Sequence, residues 1–262
     1  MLRRLIPSFP ALLLATYALL PGTHHVAEAL TIGNAFQYRG HEGPNSLGLV
    51  VGDRLVVVAN PVDPAGPPTT VVATQGATSF ALLEQVAFPP QQPYARSIPF
   101  NPALTGPWLL QATRGADTAI AFTPSLANPQ LVPLVLNLRT TGSGFHPTVE
   151  WDLPSLAGFD IDQIRVTIFD DGANQQVFSS PGLAVTTTSY SVPDGALQLD
   201  HEYVFDVQLL DFGTFSIENR SSTFTLTPYA VPVPSTLLLL TSGLGVALAV
   251  RRARQSSIDA SA

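Results

Sequence analysis

The stretch "DQIRVTIFDDG", residues 162–172, sets the terms for this chain. Ile164, Val166 and Ile168 alternate with Arg165 and Thr167. A period of two puts one set on each face of a strand, so this segment has one face to bury. The pattern recurs in "PTVEWDLP", with Val149 and Trp151. It returns in "HEYVFDVQLLDF", with Tyr203, Phe205, Val207 and Leu209, and in "SSTFTLTP", with Phe224 and Leu226. Earlier runs behave alike: "RLVVVANPV", "TTVVATQG", and "PWLLQAT", which pairs through "RGAD" with "TAIAFTP". "SFALLEQVAF" fits a strand, or a helical turn or two. The prolines of "FPPQQPYARSIPFNP" mark an irregular loop or edge segment. With only 12% charged residues, 24 prolines and 19 glycines, the chain reads as short strands joined by turns.

The expected fold class is therefore all-β, with two β-sandwich modules between terminal apolar segments. "ANPQLVPLVLNLRTTGSGFHP" is the expected junction, its "TGSG" a flexible break. The modules span 30–141 and 142–228. Their charge differs: the first is neutral, whereas the second holds two arginines against twelve acids, a net −10. An acidic surface argues against nucleic acid as a partner.

Residues 1–29 read as a secretory signal peptide. Arg3 and Arg4 precede an apolar run, Leu5 to Leu20, and Ala27-Glu28-Ala29 supplies the small-x-small cleavage site. The mature chain is expected to start near Leu30. It contains no cysteine, so disulfides, thiolate metal sites and cysteine nucleophiles are excluded, and core packing must hold it together.

No catalytic constellation emerges. Of the histidines after residue 29 (His41, His146 and His201), none has zincin spacing. Asp200 to Tyr203, "DHEY", reads as a polar loop ahead of a strand. Nucleophile elbows, phosphate loops and dinucleotide fingerprints are absent. Asp160, Asp162, Asp170, Asp171, Asp206 and Asp211 are oxygen ligands for calcium if they gather, and a solvated acidic face otherwise. "FDDGAN" reads as a hairpin turn in which Asp-Gly supplies the left-handed position. The expectation is a non-enzyme with no cofactor and no metal. Two alternatives are an adhesin or glycan-binding module using Trp108, Tyr94 and Phe100, and a secreted hydrolase.

Val231 to Val250 is twenty residues without a charge, enough for a helix of about 30 Å across a bilayer. Arg251, Arg252 and Arg254 follow and hold that end on the cytoplasmic side, leaving 256–262 as a cytoplasmic polar tail.

Two resemblances rest on these residues. "PTVEW", with its tryptophan, and "ALQLDHEYVFDV", with Leu197 six residues before Tyr203, resemble a fibronectin type III or immunoglobulin-like domain over about 80 residues. That implies a buried tyrosine whose hydroxyl is tied to nearby backbone. Residues 229–255 resemble the PEP-CTERM sorting signal. The motif is Val231-Pro232-Val233-Pro234-Ser235, then the apolar helix, then Arg251 and Arg252; Val233 replaces that family's usual glutamate. This resemblance implies an exported, non-catalytic bacterial cell-surface or extracellular-matrix protein. Its implied partners are an exosortase-type membrane protease and an extracellular polysaccharide or matrix.

Overall fold

A computed structural model of the chain describes residues 30–62, 68, 70–84, 93–213 and 216–231. Its strands, in chain order, are β1 (Thr31–Glu42), β2 (Gly52–Val62), β3 (Thr70–Gln75), β4 (Thr78–Ala81), β5 (Leu83–Glu84) and β6 (Tyr94–Pro99). A single 3-10 turn, Pro102–Leu104, separates these from β7 (Leu109–Arg114), β8 (Asp117–Phe122), β9 (Leu136–Thr141) and β10 (Thr148–Asp152). The remainder are β11 (Gln163–Asp170), β12 (Gln175–Ser179), β13 (Ser189–Ser191), β14 (Glu202–Phe212), β15 (Ile217–Phe224) and β16 (Tyr229–Ala230). The fold is all-β, as the alternation requires. Among the described residues no helix is long and apolar enough to cross a membrane. The span expected from Val231 to Val250 lies outside them, Val231 excepted.

One nine-stranded sheet, ordered β12-β11-β14-β15-β1-β2-β6-β5 with β16 beside β14, runs through both halves of the chain. Two smaller sheets lie over its first face. The four strands β4-β3-β7-β8 enclose one core, with Leu55, Val57, Trp108 and Leu110 at 0% exposure. The three strands β13-β10-β9 enclose the other, built from Val149, Trp151, Ile164, Val166, Ile168, Tyr203, Phe205, Val207 and Leu209. Each half is a sandwich, and the sandwiches share a sheet.

The sharing is made by β1 and β15, which pair in parallel from Arg39 opposite Asn219 to Glu42 opposite Ser222. The connecting segment is stitched across this seam. Arg39 donates to the Pro129 carbonyl at 3.0 Å, and Asn219 donates to the Asn128 carbonyl at 2.9 Å while accepting from the Gln130 amide at 2.7 Å. His41 Nδ1 lies 2.9 Å from the Val132 carbonyl, and the Val135 amide donates to the Thr223 hydroxyl.

Several local readings change. "TGSG" is not a free break but the loop of the β9–β10 hairpin, with Thr140 opposite Val149. Val132 and Val135 already belong to the second core. Tyr94–Pro99, expected as a loop or edge, is a full strand paired with β2. Pro99 is tolerated because it stands at the strand's end. "SFALLEQVAF" is extended where described, broken at Leu82, which turns into the first core at 4% exposure. The "RGAD" turn forms as expected, Gly115 taking φ +58 between β7 and β8. In "FDDGAN" the left-handed residue is Asn174 (φ 50), not Gly172, because the Asp170 side chain accepts from the Ala173 amide and tightens the turn from its front. Leu226 does not continue the buried face of β15. That strand stops at Phe224, and Leu226 is 70% exposed.

Candidate functional site

The functional residues nominated by sequence fall mostly outside the described residues: Ala27, Ala29, Pro232, Val233, Pro234, Ser235, Arg251 and Arg252. Val231 is within them, and its placement is specific. β16 pairs with the start of β14, Tyr229 opposite Tyr203 and Ala230 opposite Glu202. The Val231 amide then donates to the His201 carbonyl at 3.2 Å, and its side chain sits in the second core at 3% exposure. The Tyr229 hydroxyl donates to the Gly144 carbonyl at 2.9 Å. The first residue of the sorting-like motif is thus a core residue of the sandwich.

Beneath it lies a tyrosine corner. Tyr203 is 1% exposed, and its hydroxyl oxygen accepts from the Gln198 amide at 2.8 Å, five residues upstream. Leu197, expected beside it, is buried in the same core. Burial raises the Tyr203 pKa, which keeps the hydroxyl neutral. Next to the corner, Asp170 meets His201 Nδ1 at 2.5 Å. Burial pushes the Asp170 carboxyl up, but the Ala173 amide, His201 and the Gly172 amide outweigh it and hold the group below the usual carboxylate range. Sequence reasoning missed this pair. Its members are 31 residues apart, and the pairing of β11 with β14 sets Asp170 opposite Tyr203, two residues from His201.

The acids considered for calcium do not form one site: Asp160, Asp162 and Asp211 lie near one another beside Glu218, and the others stand elsewhere. Asp206 is buried within the sheet and Asp170 is engaged by His201. Asp211 accepts from Asn219 at 2.6 Å, and Asp162 accepts from the Phe212 amide at 2.7 Å. Among the described residues no group of three or more His, Asp or Glu side chains is placed to hold a metal ion. The aromatic groove proposed for a glycan does not form either. Trp108 (0% exposed) and Tyr94 (7%) are core residues, and Phe100 lies under the Arg39 guanidinium, 3.9 Å from its ring centre. A groove does run between β9 and residues 223–227, lined by Val135, Leu138, Phe224 and Leu226. Arg139 is the one charged residue among its described lining, so it offers no acid–base pair.

A second polar cluster was also invisible to the sequence. Arg220 on β15 binds Glu42 on β1 and stacks on Tyr38, 4.7 Å from its ring centre; Asp206 on β14 stands beside them at 1% exposure. Burial drives the Asp206 carboxyl up to about 8, against the opposing pull of Gln208 and Arg220. The only sequence signal is an acid set between Phe205 and Val207, in a run from Tyr203 to Leu210 whose one other polar residue is Gln208.

No family model matches the chain, and no curated protein matches it. Among solved structures, domains A168–A170 of titin align with 12% identity and a TM-score of 0.30, over 75% of this chain and 62% of that one. The chicken CNTN1 FN1–FN3 domains align with 9% identity and a TM-score of 0.28, over 77% of this chain and 68% of theirs. The all-β architecture stands on the strand order itself.

Proposed function

We propose that this is an exported, non-catalytic bacterial surface or matrix protein. Its body is two fused sandwiches, the second of immunoglobulin or fibronectin type III kind. Its C-terminal motif, Val231 to Ser235, followed by the apolar helix and Arg251 and Arg252, addresses it to an exosortase-type membrane protease. One observation carries this reading: the sandwich takes Val231, the first residue of the motif, into its core, so the motif is joined to the folded body with no spacer between them. A protease that recognises the motif then separates a complete body from its tail. The tyrosine corner supports the sandwich type, and the scattered acids and buried aromatics support a structural role over catalysis.

The test is a blot of membrane and surface fractions from a host with a cognate protease, using an epitope in the loop before β10. The unaltered protein should lose its tail. Pro232→Ala with Pro234→Ala and Ser235→Ala should leave it full-length and membrane-held, because prolines keep the segment extended for recognition. Unaltered and altered proteins that both stay full-length make the segment a plain anchor. Val233→Glu is the control for the motif's one departure.

A further inference from the structure

Val231 is fixed in the second core, and the uncharged run of residues 232–250 begins at the very next position. As a helix, those nineteen residues would reach about 28 Å. The hydrocarbon of a bilayer is roughly 30 Å thick, so none is left over as a linker. In a membrane-held chain, the end of the body that carries Val231 therefore lies against the headgroups.

That end is where β14 begins, and three exposed apolar elements meet there. The β1–β2 loop reaches it from the seam. The Gly43 amide donates to the Ser222 carbonyl at 2.9 Å, and the Ser46 hydroxyl donates to the Asp171 carboxylate at 2.9 Å. The Asp171 amide in turn donates to the Glu202 carbonyl at the start of β14. Leu47 anchors the loop on Phe169, Val204 and Phe224. The Asn45 side chain closes it, accepting from the Leu49 amide and donating to the Leu49 carbonyl. So held, the loop presents Leu49, Val50 and Val51 at 40–52% exposure, and no charged residue lies between Gly43 and Gly52. Beside it, the β9–β10 hairpin accepts the Tyr229 hydroxyl at Gly144 and shows Phe145, 36% exposed. The loop before β14 shows Leu199, 38% exposed. Single exposed apolar residues are ordinary; five at one end, three of them consecutive, mark a surface that meets something apolar.

We propose that this end of the body is a second membrane contact, with Leu49, Val50 and Val51 set into the headgroup boundary of the bilayer that holds the tail. This rests on the membrane-held tail of the proposed function. Apolar side chains at the rim of a folded body bind such a boundary by removing their surface from water. The charges select the lipid. Asp171, Asp194, Asp200 and Glu202 share this end, where His146 pairs with Asp194 at 3.0 Å and His201 with Asp170. An anionic surface repels such a set, so the contact is with zwitterionic phospholipid and its hold is apolar. The body is then fixed upright on its tail instead of swinging from it, and removal of the tail leaves only this weaker hold.

The chain lacks cysteine, so a single thiol carries a dye to one chosen position. The chain from Leu30 to Ala262 is reconstituted in phosphatidylcholine vesicles with the dye at Val50→Cys or, as control, at Phe212→Cys. Phe212 is 39% exposed at the far end of β14, about 33 Å from Glu202 at the usual rise. Lipid brominated near the headgroup should quench the dye at 50 at least about threefold more than the dye at 212. Leu49→Asp with Val51→Asp, both at exposed positions, should remove that difference without lowering the melting temperature. Replacing part of the lipid with phosphatidylglycerol should shrink it; a difference that grows overturns the zwitterionic assignment. Equal quenching at 50 and 212 in chains that float with the vesicles overturns the contact and leaves the anchored tail standing. Chains that do not float remove the anchored tail and the contact with it. A dye at 50 that is shielded from aqueous iodide more than the dye at 212, yet untouched by the brominated lipid, assigns the loop to a protein partner or a second copy. That result overturns the proposal as well.

Discussion

Arg39 on β1 and Asn219 on β15 stand opposite each other in the parallel pairing, and both grip the segment that connects the two sandwiches, at Pro129 and Asn128. A linker held at both strands of a shared sheet is a seam, not a hinge. Independent domains meet through small polar interfaces and move against each other. Here eleven residues of β1 pair with β2 in one half, while its last four also pair with β15 in the other.

The halves should therefore unfold together. Amide exchange at Leu55 in the first core and Val207 in the second, followed through a urea titration, should give one midpoint. Asn219→Ala should split them. It removes a fully buried side chain that bonds Asp211, Asn128 and Gln130, at a cost of about 3 kcal/mol for the groups left unpaired. Two midpoints in the unaltered chain would separate the sandwiches.

The second core should be more sensitive to its tryptophan than to its tyrosine hydroxyl. Trp151→Ala opens a large cavity beside Val149 and Tyr203 and should cost about 3–5 kcal/mol. Tyr203→Phe keeps the ring and removes only the bond from the Gln198 amide, so about 1–2 kcal/mol is expected. Denaturant midpoints measured on the two variants check the order. Equal losses would mean that the corner bond, not ring burial, organises this end of the sandwich.

Much of this core was legible because it depends on local alternation. Val149 and Trp151, or Tyr203 through Leu209, declare a buried face within three to seven residues, and the leucine-to-tyrosine spacing announces the corner. The second face was not legible. Val204, Asp206 and Leu210 fill the gaps in the same alternation, and a residue between two core positions reads as solvent-facing unless something is known to cover it. The parallel β1–β15 pairing joins residues about 180 apart in sequence, and no local period encodes such a partner. Nor does period reveal His201 against Asp170, which depends on the register in which β11 pairs with β14. Proline density misled at Tyr94–Pro99, because the prolines there lie at the strand's margin and leave its ladder intact.

The buried Asp206 predicts a pH dependence with a definite sign. Its folded pKa is raised from 3.8 to about 8, so the folded chain keeps a proton that the unfolded chain gives up. That contribution is complete below about pH 4 and is lost as pH rises towards about 8. Asp170, held low, acts in the opposite sense: its contribution is present above the usual carboxylate pKa and is lost in acid. Between about pH 5 and 8 the melting temperature should thus fall, with Tyr38 beside the carboxyl staying neutral and Arg220 staying charged across that range. Asp206→Asn should flatten the profile. A slope unchanged by that substitution would place the titrating group elsewhere.

The final prediction concerns where the folded body ends. The alternation in the sequence closes the second module at Pro228, but three further residues make specific contacts. Tyr229 donates to the Gly144 carbonyl and packs edge-on against Phe205, Ala230 pairs opposite Glu202, and Val231 is buried with its amide on the His201 carbonyl. A chain ended after Val231 should keep all of these, and one ended after Pro228 should keep none. Val231 burial alone should contribute about 1.5–3 kcal/mol, and the two lost backbone and hydroxyl bonds about 1 kcal/mol each. The shorter chain should therefore be the less stable by roughly 3 kcal/mol or more in urea. Val231→Asp in the longer chain should reproduce much of the loss by placing a charge in the same core. If the chains ended at 228 and 231 unfold at the same urea concentration, β16 is an attachment that the sandwich does not need.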